Sequence, residues 1–74
     1  MIVKVEAYHD GEFWCARAIG ASIFTQGKTL DQLVENVKEA VSLHFEELLD
    51  EGKALQILLL SETEVCGVPK SAAS

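Results

Sequence analysis

Four side chains of this sequence have the chemistry for nucleophilic catalysis or metal binding: His9, Cys15, His44 and Cys66. A catalytic histidine needs a positioned nucleophile or carboxylate, and a zinc site needs ligands at short spacing. These four residues are scattered along the chain and form no Cys-x-x-Cys or His-x-x-x-His motif. We therefore expect no catalytic residue, no metal and no cofactor, with His44 at the edge of a helix core and His9 beside a turn.

The segment Gly27-Lys28-Thr29 resembles the end of a phosphate-binding loop, because it precedes a predicted helix. The upstream glycine of such a loop is missing, and the strand before the segment is polar. The segment therefore predicts a turn followed by a helix N-cap, and not a nucleotide site.

The apolar pattern predicts an α+β domain of order β-β-β-α-β, in which one helix packs on one face of a small antiparallel sheet. Thr29 is the expected N-cap of the helix, with Gln32 completing a capping box, and Gly52 is its expected stop. The domain spans residues 1–65, and residues 66–74 form a tail that we expect to be flexible. The predicted strands are residues 2–8, 12–18, 22–26 and 54–60.

The pair Asp10-Gly11 predicts a type I′ hairpin turn, which places Tyr8 opposite Phe13. One face of this hairpin is wholly apolar and is the expected core, whereas the other face is mixed. The last strand is apolar on both sides, so it is either buried on both sides or paired across a subunit boundary. The candidate oligomer-interface residues are Tyr8, Phe13, Cys15, Ile57 and Leu59.

The net charge is −6, from twelve acidic and six basic residues. Phosphate backbones are bound by Lys and Arg, so we expect no direct nucleic-acid binding. A basic protein partner fits the charge, although acidity also serves solubility alone. Along one flank of the predicted helix, Glu35, Glu39 and Glu46 are candidate partner-binding residues; the alternative is an ordinary solvated helix face.

No signal-peptide pattern follows Met1, and the longest apolar run is residues 57–60, so we expect a cytoplasmic protein with reduced thiols and no membrane contact. A core of this size supplies about 3–5 kcal/mol. We therefore expect self-association into a homodimer or a homotetramer.

The order and spacing of several short motifs resemble the N-terminal domain of HicB-like antitoxins. Lys28 departs from that pattern, in which Asp is usual. The resemblance implies a partial ribonuclease H-like fold without nuclease activity, which binds and covers the active site of a small basic HicA-like RNA-cleaving toxin. The matching segments are Asp10-Gly11, Phe13-Trp14, Thr25-Gln26-Gly27-Lys28-Thr29, Asn36 and Glu39-Ala40.

In that family a DNA-binding module often follows this domain, and the present sequence has no room for one. The expectation is a stand-alone HicB-like antitoxin domain that is not an enzyme. The alternative is an orphan oligomeric HicB-fold protein or regulator without a toxin partner. A neighbouring gene for a short basic protein with a catalytic histidine would distinguish the two. The sequence leaves open which surface binds the toxin.

Overall fold

One long helix lies against one face of a four-stranded sheet in the computed structural model, which describes residues 1–62 and 65–69. A second, short helix precedes the last strand. The elements are β1 (Ile2–His9), β2 (Trp14–Ala18), β3 (Phe24–Gly27), α1 (Leu30–His44), α2 (Glu46–Asp50) and β4 (Gln56–Ser61).

The sheet has the strand order β3-β2-β1-β4 and is mixed. Pairs β1–β2 and β2–β3 are antiparallel, whereas β4 pairs parallel to β1. The α+β class with its β-β-β-α-β order is confirmed, and the expectation of a wholly antiparallel sheet is wrong for this one pair. Helix α1 is the crossover connection that a parallel strand needs, since it carries the chain from the β3 edge to the opposite edge.

The turn between β1 and β2 is wider than predicted. Asp10 Oδ1 accepts hydrogen bonds from the backbone N–H groups of Glu12 at 2.9 Å and Phe13 at 2.6 Å. The Asp10 N–H in turn donates to the Phe13 carbonyl at 3.0 Å. Gly11 has φ +101°, and no residue other than glycine has positive φ among the described residues. This rules out a type I′ turn, which needs positive φ at both central positions.

The wider turn changes the register of the hairpin. Tyr8 lies opposite Cys15, where the two-residue turn had predicted Phe13. The shift is two residues, and side chains alternate with period two, so every residue keeps its predicted face. The apolar hairpin face is therefore still the core, as predicted.

The core lies between the sheet and α1. From the helix, Leu33, Val37 and Val41 are buried, and Leu33 is 0% exposed. Burial of a Val or Leu side chain stabilises the fold by about 1.5–3 kcal/mol, so three buried aliphatic residues on one helix stripe hold α1 on the sheet. The remaining buried members of the cluster are Val3, Val5, Ala7, Ala16, Ala18 and Ile23.

Helix α1 begins as predicted, because the Thr29 hydroxyl accepts from the Gln32 N–H at 3.1 Å. The Gln32 side chain accepts from the Lys28 N–H at 2.7 Å, one residue before the expected capping-box donor. Gly52 ends the helical region with φ +78°, and its N–H donates to the Leu49 carbonyl at 3.0 Å.

The predicted single helix is interrupted at Phe45, which has φ −108° and ψ 31° and separates α1 from α2. No glycine or proline marks this break in the sequence. Phe45 packs against the core cluster, and the His44 ring meets its edge with centroids 4.8 Å apart. The break therefore coincides with an aromatic residue that closes one end of the core.

Within residues 1–62 and 65–69, no helix has the length and apolarity needed to cross a membrane. Residues 65–69 are exposed and have no regular secondary structure. They belong to the region around the predicted domain boundary and tail; residues 63, 64 and 70–74 lie outside the described residues.

Candidate partner-binding surfaces

Gly27 forms the closest contact between β3 and α1. A Cβ atom built on Gly27 would lie 2.8 Å from the backbone nitrogen of Leu33, which is too close for any side chain. Thr29 then caps the helix two residues later. The segment therefore forms a tight strand-to-helix junction, in agreement with its prediction as a turn plus a cap.

Asn36 fixes the same junction from the helix side. Its Nδ2 donates to the Gln26 carbonyl at 2.8 Å. The Ala18 N–H donates to the Ile23 carbonyl at 3.0 Å, so the backbone groups of Ile23 face β2. Backbone direction alternates along a strand, and Gln26 lies three positions further on. Its carbonyl therefore points to the free outer edge of β3. Asn36 thus anchors α1 and also covers a polar group on the free edge of β3.

The acidic candidates Glu35 and Glu39 lie exposed on α1. Glu35 is paired with Lys38, with 3.1 Å between Oε1 and Nζ. Glu39 makes no hydrogen bond or ion pair among the described residues. Because its carboxylate is not engaged there, Glu39 is an exposed motif residue available to a partner.

Glu46 is also exposed but lies in the first turn of α2, beyond the break at Phe45. The predicted flank assumed one continuous helix, in which Glu46 would follow Glu39 along the same side. The structure brings Glu35 and Glu39 together and places Glu46 on a separate helix. Periodicity alone gave no sign of this, since the acidic spacing continues unchanged through the break.

The face of the sheet opposite α1 is called here the open face. It carries the neighbouring residues Tyr8 and Cys15. Glu6 and Arg17 lie directly opposite each other on it, with 2.9 Å between Oε2 and the guanidinium nitrogen. Both side chains are exposed, so this ion pair contributes about 0–1 kcal/mol. The open face also carries exposed apolar side chains, namely Ile2, Tyr8, Phe24, Leu58 and Leu60.

The five oligomer-interface candidates do not form one surface. Tyr8 and Cys15 are on the open face, and Phe13 lies half-buried in the turn. Ile57 and Leu59 pair with Val3 and Val5 and therefore point to the helix side. The residues of β4 that share the open face are Leu58 and Leu60, which strand alternation could have identified once the side of Ile57 was known.

Ile57 and Leu59 line a groove of about 140 Å³ between β4 and α1, together with Val34, Val37 and Lys38. Both are only half-buried, because α1 packs closest to β3 and β2 and not over β4. The strand was predicted to be buried on both sides or paired across a subunit boundary. Within this chain it is not buried on both sides, since Leu58 is 45% and Leu60 42% exposed.

Cys15 is 3% exposed although it lies on the open face. Its Sγ is 3.7 Å from Asp10 Oδ2. Burial raises the pKa of the Cys15 thiol, and the negative charge of Asp10 raises it further. A nucleophilic cysteine needs the opposite shift, so this thiol is in an environment that keeps it protonated and unreactive.

The two histidines are far from the arrangement that a catalytic site needs. His9 accepts a hydrogen bond from the Gly11 N–H at 3.1 Å and meets Trp14 edge-on, with ring centroids 5.2 Å apart. This agrees with its prediction as a turn-flanking residue. His44 is exposed, so its prediction as a core-edge histidine is wrong. No group of three or more His, Cys, Asp or Glu side chains in residues 1–62 and 65–69 is arranged to hold a metal ion.

A protein of Archaeoglobus fulgidus described as a UPF0150 protein is 53% identical to this chain over 47 residues. These residues are 64% of this chain and 68% of that protein. The chain belongs to the UPF0150 family. No family model matches this UPF0150 chain, and no solved structure matches it.

Proposed function

We propose that this UPF0150 chain is a HicB-like antitoxin domain that binds a small basic HicA-like RNA-cleaving toxin and covers its active site. The observation that carries the proposal is that several residues behind the HicB resemblance, distant in the sequence pattern, meet in the structure. Gly27, Thr29 and Asn36 form one strand-to-helix junction. Their spacing thus has a physical reason, which supports a shared fold over a chance match.

The charge of the chain supports a basic partner. A net charge of −6 favours encounter with a positively charged protein and raises its association rate at low salt. Glu35 and Glu39 are exposed on α1, and Glu39 lies on its β3 side, beside Thr25 and Asn36. We propose that this flank of α1 contacts the toxin, with Glu46 of α2 adding to the negative electrostatic potential that attracts it.

We further propose that inhibition needs no chemistry from this chain and takes place in the cytoplasm, where the toxin would cleave RNA. The buried, protonated Cys15 and the separated histidines support a role by occlusion. If a short basic protein is encoded beside this chain, the deciding experiment is co-expression of the two. Rescue of growth, together with loss of RNA cleavage when the purified proteins are mixed, is the expected result.

The contact surface is tested by reversing charges at Glu35 and Glu39 to Lys. Each Glu→Lys change raises the net charge by two units, so the double variant has a net charge of −2 in place of −6. The matched control reverses Glu12 and Glu62, two exposed residues away from α1, with the same change in net charge. We expect the α1 variant to associate more slowly with the toxin than the control. Equal rates would place the contact elsewhere on the molecule.

The orphan-oligomer alternative predicts a different outcome of the co-expression experiment. It is favoured by the apolar side chains of β4, which are exposed on the open face and half-buried on the helix side. If the neighbouring toxin remains active in the presence of this chain, the antitoxin proposal is wrong for that pair. A self-associating UPF0150 protein without a toxin then takes its place.

A further inference from the structure

The two free edges of the sheet differ in how they are protected. The β3 edge is four residues long, and the Asn36 side chain covers its Gln26 carbonyl. The β4 edge is six residues long and contains no proline, lysine or other charged residue. Natural sheets usually protect a long edge with such residues. An apolar, uncharged edge strand without them is a template for another strand.

The polar groups that β4 presents outward can be identified. The Gln56 N–H donates to the Met1 carbonyl at 3.0 Å, so Gln56 points its backbone toward β1. Backbone direction alternates along a strand. Ile57, Leu59 and Ser61 therefore point their N–H and C=O groups away from the sheet, and no described residue hydrogen-bonds to them. Three consecutive outward positions are ready for a further strand.

We propose that β4 pairs antiparallel with β4 of a second copy of this chain, about a twofold axis perpendicular to the sheet. Two four-stranded sheets then become one continuous sheet of eight strands. Residues that point their backbone groups outward must face each other to exchange hydrogen bonds, so the axis cannot lie midway between Leu58 and Leu59. It therefore passes beside one of these two residues. The proposal does not depend on the antitoxin function, and its experiments contain no toxin.

This pairing explains why β4 is apolar on both sides. The twofold axis places the two α1 helices on the same side of the joined sheet. The grooves lined by Ile57 and Leu59 then lie side by side and join into one apolar trough between the two α1 helices. On the opposite side, Leu58 and Leu60 of the two copies meet across the new strand pair. Each β4 thereby gains an apolar neighbouring strand for its side chains on both faces.

Electrostatics favour a second copy over another partner at this edge. Two chains that each carry −6 repel each other, so they associate with least cost where charge is absent. Residues 56–61 contain no charged side chain. Lys38 at the rim of the groove is already paired with Glu35. A basic protein, in contrast, finds no carboxylate on β4 to attract it.

The first experiment is site-specific cross-linking of the full chain. In a background with Cys15→Ala and Cys66→Ser, the single variants Leu58→Cys and Leu59→Cys are oxidised, with Phe24→Cys on the far edge as control. We expect the variant nearest the axis to shift from 8.1 kDa to 16.2 kDa, twice the chain mass, while the control stays monomeric. Equal cross-linking of all three, or of none, would overturn the proposal.

The second experiment uses charge complementation, which separates loss of association from loss of folding. The double variants Leu58→Lys with Leu60→Lys and Leu58→Glu with Leu60→Glu should each sediment at 8.1 kDa. An equimolar mixture should recover 16.2 kDa, twice that mass, because opposite charges then meet across the strand pair.

The matched control is Ile19→Lys with Phe24→Lys, which alters two exposed apolar residues on the β2–β3 side of the sheet, away from β4. It should remain at 16.2 kDa, twice the chain mass. Dissociation of this control would indicate that the open faces pack together instead. A mixture that stays at 8.1 kDa, or an unaltered protein of that mass, would equally overturn pairing through β4.

Discussion

Single residues of this chain fix the backbone where no alternative side chain fits, and Gly27 is the clearest case. Its Cβ position lies 2.8 Å from the backbone nitrogen of Leu33, and backbone cannot move aside as a flexible side chain can. We expect Gly27→Ala to destabilise the protein by about 1–3 kcal/mol, as overpacking of a close contact does. Urea unfolding measures this.

The control for that measurement is Gly67→Ala. No atom lies within 4 Å of its Cβ position, so its effect on the unfolding free energy should stay within about 0.5 kcal/mol. Equal stability of the two variants would show that β3 and α1 separate more easily than this junction implies.

Asp10 gives the protein a pH-dependent contribution. Backbone N–H groups of Phe13 and Glu12 donate to its carboxylate and lower the pKa of that carboxyl from its usual 3.8. Since the folded-state pKa is below the unfolded one, the contribution is present above the unfolded pKa and is lost as pH falls through the folded pKa. Asp10→Asn keeps an acceptor oxygen but does not titrate.

We therefore expect the unaltered protein to lose more stability than Asp10→Asn between about pH 5 and the lowered pKa. Urea unfolding at several pH values measures the difference, and an NMR titration of the Asp10 carboxyl gives its pKa directly. Parallel pH dependences for the two proteins would contradict the expected role of this turn.

Several residues that carry the HicB resemblance have structural roles in this protein. Asp10 closes the hairpin turn, Thr29 caps α1 and Asn36 joins it to β3. These roles belong to the fold. The resemblance is silent about binding, for which exposed motif side chains such as Glu39 and Lys28 are available.

Among the elements, the contact between α1 and β3 is a direct test of the difference between folding and binding residues. Asn36→Ala removes the 2.8 Å hydrogen bond to the Gln26 carbonyl. We expect a loss of about 0.5–1.5 kcal/mol in unfolding free energy. Glu39→Ala, three residues along the same helix, should change stability by less than about 0.5 kcal/mol.

The same two variants should have the opposite order in toxin binding. Glu39→Ala removes a charge that is free in the fold, whereas Asn36→Ala leaves the acidic side of α1 unchanged. A larger binding defect for Asn36→Ala at a temperature where both variants are folded would contradict the proposed contact flank.

The types of the secondary-structure elements were predictable from the sequence, but the turn and the helix break that connect them were not. Alternation and helical spacing identified the strands and α1, because those patterns reflect burial directly. The hairpin register was wrong because the Asp10 side chain widens the turn. The break at Phe45 was missed because it has no glycine or proline, and it moved Glu46 onto α2.

For the whole molecule, strand neighbours in space were the hardest feature to predict. No pattern in the sequence indicates that β4 pairs with β1, since this pairing depends on where α1 delivers the chain. For that reason the candidate interface mixed Tyr8 of the open face with Ile57 of the helix side. The net charge, in contrast, needs no structure, and it supports the proposed basic partner at this scale.

The pairing of β1 with β4 also has a consequence for synthesis on the ribosome. Val3 pairs with Ile57, so β1 can complete its strand pairing only after β4 has been translated, more than fifty residues later. Contacts of such long sequence separation form slowly, whereas the hairpin and α1 can form from local contacts. During that interval the β4-side edge of β1 is open to other nascent chains. Lys4 and Glu6 place charges along β1, the device that sheets use to discourage unwanted pairing.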